Sequence, residues 1–327
     1  EILDLRQELA RLLGFANYAE LSLASKMAES SEQVLQFLRD LALRSKPFAA
    51  RDLQALQRFA AAQGCSELQS WDLGYYGEKL RQQRYSIAQE QVRAWFPIDK
   101  VLSGLFAIVQ KLYGIQIKEL SGFDTWHADV RLFEITENGQ PLGRFFFDLY
   151  ARANKRGGAW MDGARDQRRN ACGQLISPVA NLVCTFTPAV NGQPALLTHD
   201  EVTTLFHEFG HGLHHLLTEV EHAGASGING VAWDAVELPS QFMENWCWEP
   251  EGLALISGHF ESGEPLPQDL LEKMLAAKNF QSGLMMARQL EFSLFDFELH
   301  ATHGDGRSVL QVIESIRDEV AVMRPPA

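Results

Sequence analysis

The sequence predicts a mainly α protein with a small β-sheet near residues 130–187 set into it. Three observations predict this. Apolar residues recur at helical spacing over long stretches on either side of that segment. The segment itself alternates and carries a hairpin signal, and a capped helix with an unusual polar face follows it.

In chain order, Leu5, Leu9, Leu12 and Leu13 share a helical period, and Gly14 suits a stop. A second helix is expected over roughly 31–63. Val34, Leu35, Leu38, Leu41 and Leu43 mark its first part and Leu53, Leu56, Phe59 and Ala60 its second, with Pro47 between them as a kink or break. Both are read as amphipathic helices that bury one stripe. The aromatic residues of 71–76, from Trp71 to Tyr76, are read as core side chains at a helix junction. Residues 97–113 return to helical spacing through Val101, Leu102, Leu105, Ile108, Val109 and Leu112.

Residues 130–136 then alternate loosely, Asn138-Gly139 is a hairpin signal, and 143–150 read as an aromatic strand. The basic, glycine-bearing stretch 152–158 reads as a loop. A third strand is expected over 179–187, ending at Pro188, after which Asn191-Gly192 turns the chain. Further helices are expected at about 236–249, 267–278, 282–302 and near 306–322. The chain thus reads as a helical region, 1–125, and a region of sheet and helices, 126–327.

With 327 residues, 46% hydrophobic and 22% charged, the composition is that of a soluble globular protein with a large core. The formal net charge of −13 argues against nucleic acid or an anionic membrane as a partner. Cys65, Cys172, Cys184 and Cys247 show no C-x-x-C spacing and read as reduced core thiols, which points to the cytoplasm. The first residues carry no basic start followed by an apolar run, and no stretch approaches the ~18 apolar residues of a membrane span.

The chemistry is carried by His207, Glu208, Phe209, Gly210 and His211, which spell H-E-x-x-H. On a helix, residues four apart differ by about 40° of rotation and about 6 Å of rise, so both imidazoles can meet one zinc ion. Glu208 stands about 100° further round, placed to handle a water without ligating the metal. Thr198 and Glu201 form a capping box that starts this helix, and Asp200 and Glu201 suit its positive end. Val202, Leu205, Phe206, Phe209, Leu213 and Leu216 make one apolar stripe, with His211 about opposite its centre. The helix is therefore expected to pack one face and to offer the other to a cleft.

A third ligand is needed, because His214 and Leu217 stand where the longer H-E-x-x-H-x-x-G-x-x-H pattern has its glycine and last histidine. His214 reads as a surface or supporting residue, and Glu219 and Glu221 fall too near the helix end to turn back. The segment 234–246 has helical spacing with Pro239 in its first turn, and a carboxylate there can complete a His₂Glu site. On spacing alone, Glu237 and Glu244 both remain open.

At these residues the chain resembles the thimet oligopeptidase family of zinc metallopeptidases, in its bacterial branch. The resemblance is carried by His-Glu-Phe-Gly-His at 207–211 and Asp-Ala-Val-Glu-Leu-Pro-Ser-Gln at 234–241. Leu-Leu-Thr-His-Asp-Glu-Val at 196–202 and Asn-Leu-Val-Cys-Thr-Phe-Thr at 181–187 add to it. It implies a zincin-like helical metallopeptidase core, part of a larger two-lobed architecture about a channel. It implies one zinc ion on His207, His211 and Glu237, with Asp234 orienting a ligand histidine. The implied activity is cytoplasmic endopeptidase cleavage of short peptides, by a metal-activated water with Glu208 as general base. No obligate protein partner is evident.

Members of that family are longer, and the chain reads as their central metal-binding portion. A histidine- and tyrosine-bearing loop that they use for catalysis has no counterpart in it. The alternative is accordingly a zinc-binding but catalytically impaired peptide-binding module. The strand near 181–187 is expected either to pair with the substrate backbone by edge addition or to be an ordinary interior strand.

Overall fold

The structure is a computed structural model that describes residues 1–86, 89–190 and 192–324. Its helices among the described residues begin with α1 (Ile2–Leu12), α2 (Tyr18–Leu23), α3 (Ser31–Ala62), α4 (Leu73–Tyr85), α5 (Gln89–Val92) and α6 (Ile98–Tyr113). After the sheet come α7 (His199–Leu216), α8 (Leu238–Glu244), α9 (Pro250–Ile256), α10 (Gln268–Ala277), α11 (Ser282–Ala301) and α12 (Val309–Val320). Two compact units result, one of residues 1–87 with 276–327 and one of residues 88–275.

The first unit is helical. α3 runs through Pro47 without a break, although a proline there leaves a carbonyl one turn back without its donor. Asn17 and Ser30 accept hydrogen bonds from backbone N–H groups three residues on, which fixes where α2 and α3 begin. Ala42, Leu290, Leu294, Ile316 and Val320 join α3, α11 and α12 in one apolar cluster. Two buried carboxylates on α11 are each held by two arginines, Glu291 by Arg288 and Arg317 and Glu298 by Arg39 and Arg307.

Two expectations fail here. The helix over Leu5, Leu9, Leu12 and Leu13 forms, but all four side chains are exposed. A helical period fixes which residues share a face, not what covers that face. Trp71 and Tyr75 are likewise exposed rather than core residues. Tyr75 rests edge-on against Tyr76 and under the Lys79 ammonium one turn along α4, a surface arrangement that satisfies its ring.

The second unit is built on a five-stranded sheet of order β1-β2-β3-β7-β4. Its strands are β1 (Gln116–Leu120), β2 (Arg131–Glu137), β3 (Gln140–Tyr150), β4 (Trp160–Arg165) and β7 (Val179–Phe186). A separate pair, β5 (Arg168–Arg169) and β6 (Leu175–Ile176), forms a short hairpin. The β2–β3 turn is Asn138-Gly139, both residues at positive φ, as the dipeptide predicts. The sheet begins earlier than residue 130, because Gln116–Leu120 pairs along β2. The expected Asn191-Gly192 turn falls in part outside the described residues.

β7 lies between β3, to which it is parallel, and β4, to which it is antiparallel. It is therefore an interior strand whose backbone groups are committed on both sides. Edge addition along it is ruled out, and the open edge on that side belongs to β4. α6 and α7 cover the sheet with a cluster of rings: Phe209 lies 5.4 Å from Phe145 and 6.0 Å from Phe147, and Phe106 lies 5.4 Å from Phe133.

The basic stretch 152–158 is a loop stapled to this sheet. Asp148, buried on β3, accepts from Arg152 at 2.6 and 2.8 Å, from Lys155 at 2.8 Å and from Trp126 at 2.9 Å. Burial alone would raise its carboxyl pKa, yet these donors hold it well below the usual range. All four cysteines are free, and Cys184 and Cys247 are buried with their thiol pKa values raised. Cys172 is exposed and is not a core thiol. Among the described residues no helix is long and apolar enough to cross a membrane.

Candidate metal centre

α7 starts where its capping box places it. Thr198 Oγ1 accepts from the Glu201 N–H at 3.1 Å, and the Thr198 N–H donates to Glu201 Oε2 at 2.7 Å. Its apolar stripe is buried as the period predicts, so the opposite face is the one left for His207 and His211. Their rings stand 4.9 Å apart and nearly perpendicular.

α8 crosses α7 at Gly210, inside the motif. A Cβ at that position would lie 2.5 Å from the Pro239 carbonyl oxygen and 2.6 Å from Ser240 Cα. Only glycine admits this approach. The crossing sets Glu237, the residue just before α8, over the two histidines: its Oε2 lies 3.2 Å from His207 Nε2 and 3.1 Å from His211 Nε2. The buried Ser240 hydroxyl lies 2.8 Å from the same Oε2 and 2.9 Å from the Glu237 carbonyl, so it fixes that carboxylate with its one proton.

Glu244, two turns on, does something else. Its Oε1 accepts from His207 Nδ1 at 2.7 Å. With the proton on Nδ1, the His207 Nε2 lone pair points at a carboxylate oxygen, an arrangement that repels unless a cation lies between. Of the two glutamates that spacing left open, Glu237 is grouped with the histidines and Glu244 orients one of them.

The three ligand atoms all lie within 4.8 Å of one another. Tetrahedral zinc with bonds of about 2.0–2.1 Å spaces its ligand atoms about 3.3 Å apart. The separations of 3.1 and 3.2 Å match within a few tenths of an ångström, so the donor set fits that ion. Burial lowers the pKa of His211, which favours the neutral imidazole a metal requires, while the Glu237 carboxylate pulls the other way. His214 is not grouped with them; burial and the neighbouring His215 lower its pKa too, and its Nδ1 has no hydrogen-bond partner among the described residues.

Glu208 is buried beside these groups. Burial raises its carboxyl pKa, and the Glu237 carboxylate adds to the rise. His207 and a hydrogen bond from the Met161 backbone on β4 pull the other way. A carboxylate so placed can take and return a proton. Sequence reasoning did not find Ser240, Met161 or the role of Glu244. The seven-residue step from Glu237 to Glu244, two helical turns, was the only signal for the last.

The model of peptidase family M3 matches residues 1–326. The chain is 60% identical to oligopeptidase A of Escherichia coli (strain K12) over all of its own length and 49% of that protein. It is 53% identical to oligopeptidase A of Haemophilus influenzae over 99% of this chain and 48% of the relative. It is 35% identical to dipeptidyl carboxypeptidase of Escherichia coli (strain K12) over 91% of this chain and 44% of that protein. The chain spans about half the length of these curated relatives.

Proposed function

The chain belongs to peptidase family M3, and from that premise we propose that it carries a zinc-dependent endopeptidase site for short peptides. The observation that carries the reading is the convergence of His207 Nε2, His211 Nε2 and Glu237 Oε2 beside the buried carboxylate of Glu208. In this reading His207, His211 and Glu237 hold one zinc ion. When bound, the ion supplies a Lewis acid that acidifies a water and polarises the scissile carbonyl.

The chain's own residues do the remainder. The Glu208 carboxylate accepts a proton from water and returns it to the leaving amine. Glu244 keeps the His207 proton on Nδ1, so that Nε2 stays free to ligate. Ser240 holds the Glu237 carboxylate in place. Asp234, in the turn just before Glu237, is a further orienting carboxylate in this proposal. The proposed compartment is the cytoplasm, in keeping with the four free cysteines.

A second reading is a module that holds zinc and binds peptide but turns over poorly. One experiment separates the two. Metal analysis is paired with turnover of a quenched fluorescent peptide blocked at both ends. Stoichiometric zinc with cleavage that chelator and Glu208→Gln abolish supports the endopeptidase. Zinc without cleavage supports the module, and no zinc overturns both. The blocked carboxyl end matters, because a dipeptidyl carboxypeptidase requires a free one.

A further inference from the structure

His199 opens α7, eight residues before His207, and is buried. Its Nε2 lies 2.8 Å from the Cys247 carbonyl oxygen. A carbonyl only accepts, so Nε2 carries the proton and donates. The ring is boxed where it can do so, with Phe96 at 5.7 Å and Trp248 at 4.3 Å, both edge-on. Phe96 is itself tied to the residue pair before α7, its carbonyl accepting from the Leu197 N–H at 2.9 Å. That packing fixes the donor in the frame of α7.

Cys247 closes a 3₁₀ turn (Asn245–Cys247) that follows α8 directly, and Glu244 is the residue from which the turn starts. Glu244 Oε1 in turn accepts from His207 Nδ1 at 2.7 Å. Three contacts therefore run back along α7 in order. Pro239 and Ser240 meet Gly210, Glu244 meets His207, and Cys247 meets His199. The carboxylate that orients a metal-centre histidine stands between two anchors, and His199 is the donor of the second.

The two anchors differ in kind. At Gly210 backbone packs on backbone, which pins Glu237 and the first turn of α8. At the far end the Cys247 thiol reaches the Val202 carbonyl only at 4.0 Å, a weak contact, so the short bond is the one from His199. α9 also packs on the turn, because a Cβ at Gly252 would collide with the Trp246 carbonyl oxygen. Loss of the His199 bond is thus expected to shift the turn rather than to detach it. A hydrogen bond between two side chains is sensitive to such a shift, because it weakens steeply with distance and angle.

We infer that His199 is a positioning residue for the metal centre: by bonding the Cys247 carbonyl it holds the end of α8 against α7 and so keeps the Glu244 carboxylate on His207 Nδ1. The inference rests on His207 being a zinc ligand. Its test is a double-mutant cycle on the full chain, read as zinc affinity by chelator competition, beside crystal structures of the metal-free forms. His199→Leu removes the donor, whereas His199→Gln keeps a terminal N–H at a similar reach. His199→Asn, whose amide falls short of the carbonyl, takes the place of leucine if that variant does not fold.

His199→Leu is expected to weaken zinc binding about 3- to 10-fold, less than outright removal of the Glu244 carboxylate. In a Glu244→Ala background the same change is expected to add nothing beyond about twofold, because the route to His207 is already cut. His199→Gln is expected to restore most of the affinity. In metal-free His199→Leu the distance from Glu244 Oε1 to His207 Nδ1 is expected to open beyond about 3.5 Å, with Glu237 still beside His211. Additive losses in the double variant overturn the inference, as does an intact Glu244–His207 hydrogen bond in His199→Leu or a glutamine no better than leucine. If the unaltered chain binds no zinc, the zinc reading falls while the metal-free Glu244–His207 distance still decides this one.

Discussion

At the α7–α8 crossing and again at the α3–α11 crossing, a glycine lets one helix meet the backbone of another. A Cβ at Gly210 would come 2.5 Å from the Pro239 carbonyl oxygen, and one at Gly283 would come 2.7 Å from both the Ala49 nitrogen and the Phe48 carbonyl carbon. Each crossing also ties down a helix start with a side chain. Ser240 holds Glu237 before α8, and Asp52 accepts from the first N–H groups of α11, those of Gly283 and Leu284. The outcomes differ because of what stands beside the contact. Further along α11 from Gly283 come an apolar cluster and carboxylates locked between arginines. Near Gly210 stand two imidazoles and the Glu237 carboxylate, whose donor atoms lie within 4.8 Å of one another, with the buried Glu208 carboxylate beside them. Close packing is the common device, and only the unneutralised donors turn it into a site.

The largest expected effect separates that chemistry from the packing. Glu208→Gln preserves size and leaves the crossing intact, so zinc content should not change. Turnover of the peptide should fall by roughly 10²–10⁴-fold, the usual worth of a positioned acid–base group. Retention of near-normal turnover would mean that Glu208 is not the base. Next in size is Glu244→Ala, which frees the Nδ1 proton of His207. Losing such a support is worth about 10–100-fold in metal affinity, measurable by competition with a chromophoric chelator. An unchanged affinity would show that His207 is oriented by packing alone.

How much of this could be read from the chain is itself uneven between the two crossings. Periodicity and the Thr198–Glu201 box place α7 and its buried stripe, and H-E-x-x-H places two imidazoles on its other face, because both signals are local. Glu237 against Glu244 is a question of tertiary direction, and spacing leaves it open until α8 is seen to cross at Gly210. β4 carries Trp160, Met161, Asp162, Gly163, Ala164 and Arg165, with no alternation to betray a strand; its partner β7 defines it. Nor does chain order show that α11 crosses α3, more than two hundred residues earlier. The exposed leucines of α1 make the same point from the other side. Local pattern reports which face is apolar, and only tertiary structure reports where that face goes.

The glycines themselves give the direct test of the shared device. Gly210→Ala and Gly283→Ala each force a backbone shift, with an overpacking cost of about 1–3 kcal/mol. Both should lower Tm. Only Gly210→Ala should also weaken zinc binding, because the shift moves Glu237 off the histidines. If Gly283→Ala lowered zinc affinity as much, the coupling would run through general stability and the comparison would fail.

The smallest effect concerns stability and its sign. Burial raises the Glu208 pKa in the folded metal-free chain, so at neutral pH the ionised carboxylate opposes folding. Between the unfolded pKa and the raised folded one, the folded state binds more protons than the unfolded state. Acidification through that window therefore removes the penalty rather than adding one. Glu208→Gln, which is neutral at every pH, should raise the Tm of the metal-free chain by a few degrees at neutral pH. The gain should shrink as pH falls through the raised pKa, where the native glutamic acid becomes neutral as well. On α11, by contrast, Glu291 and Glu298 each face two guanidinium groups. Glu291→Gln should lower Tm at neutral pH, leaving the Arg288 and Arg317 charges less well matched. Scanning calorimetry of both variants at neutral and mildly acidic pH reads the two signs. Equal signs would show that burial, rather than the company each carboxylate keeps, decides its contribution.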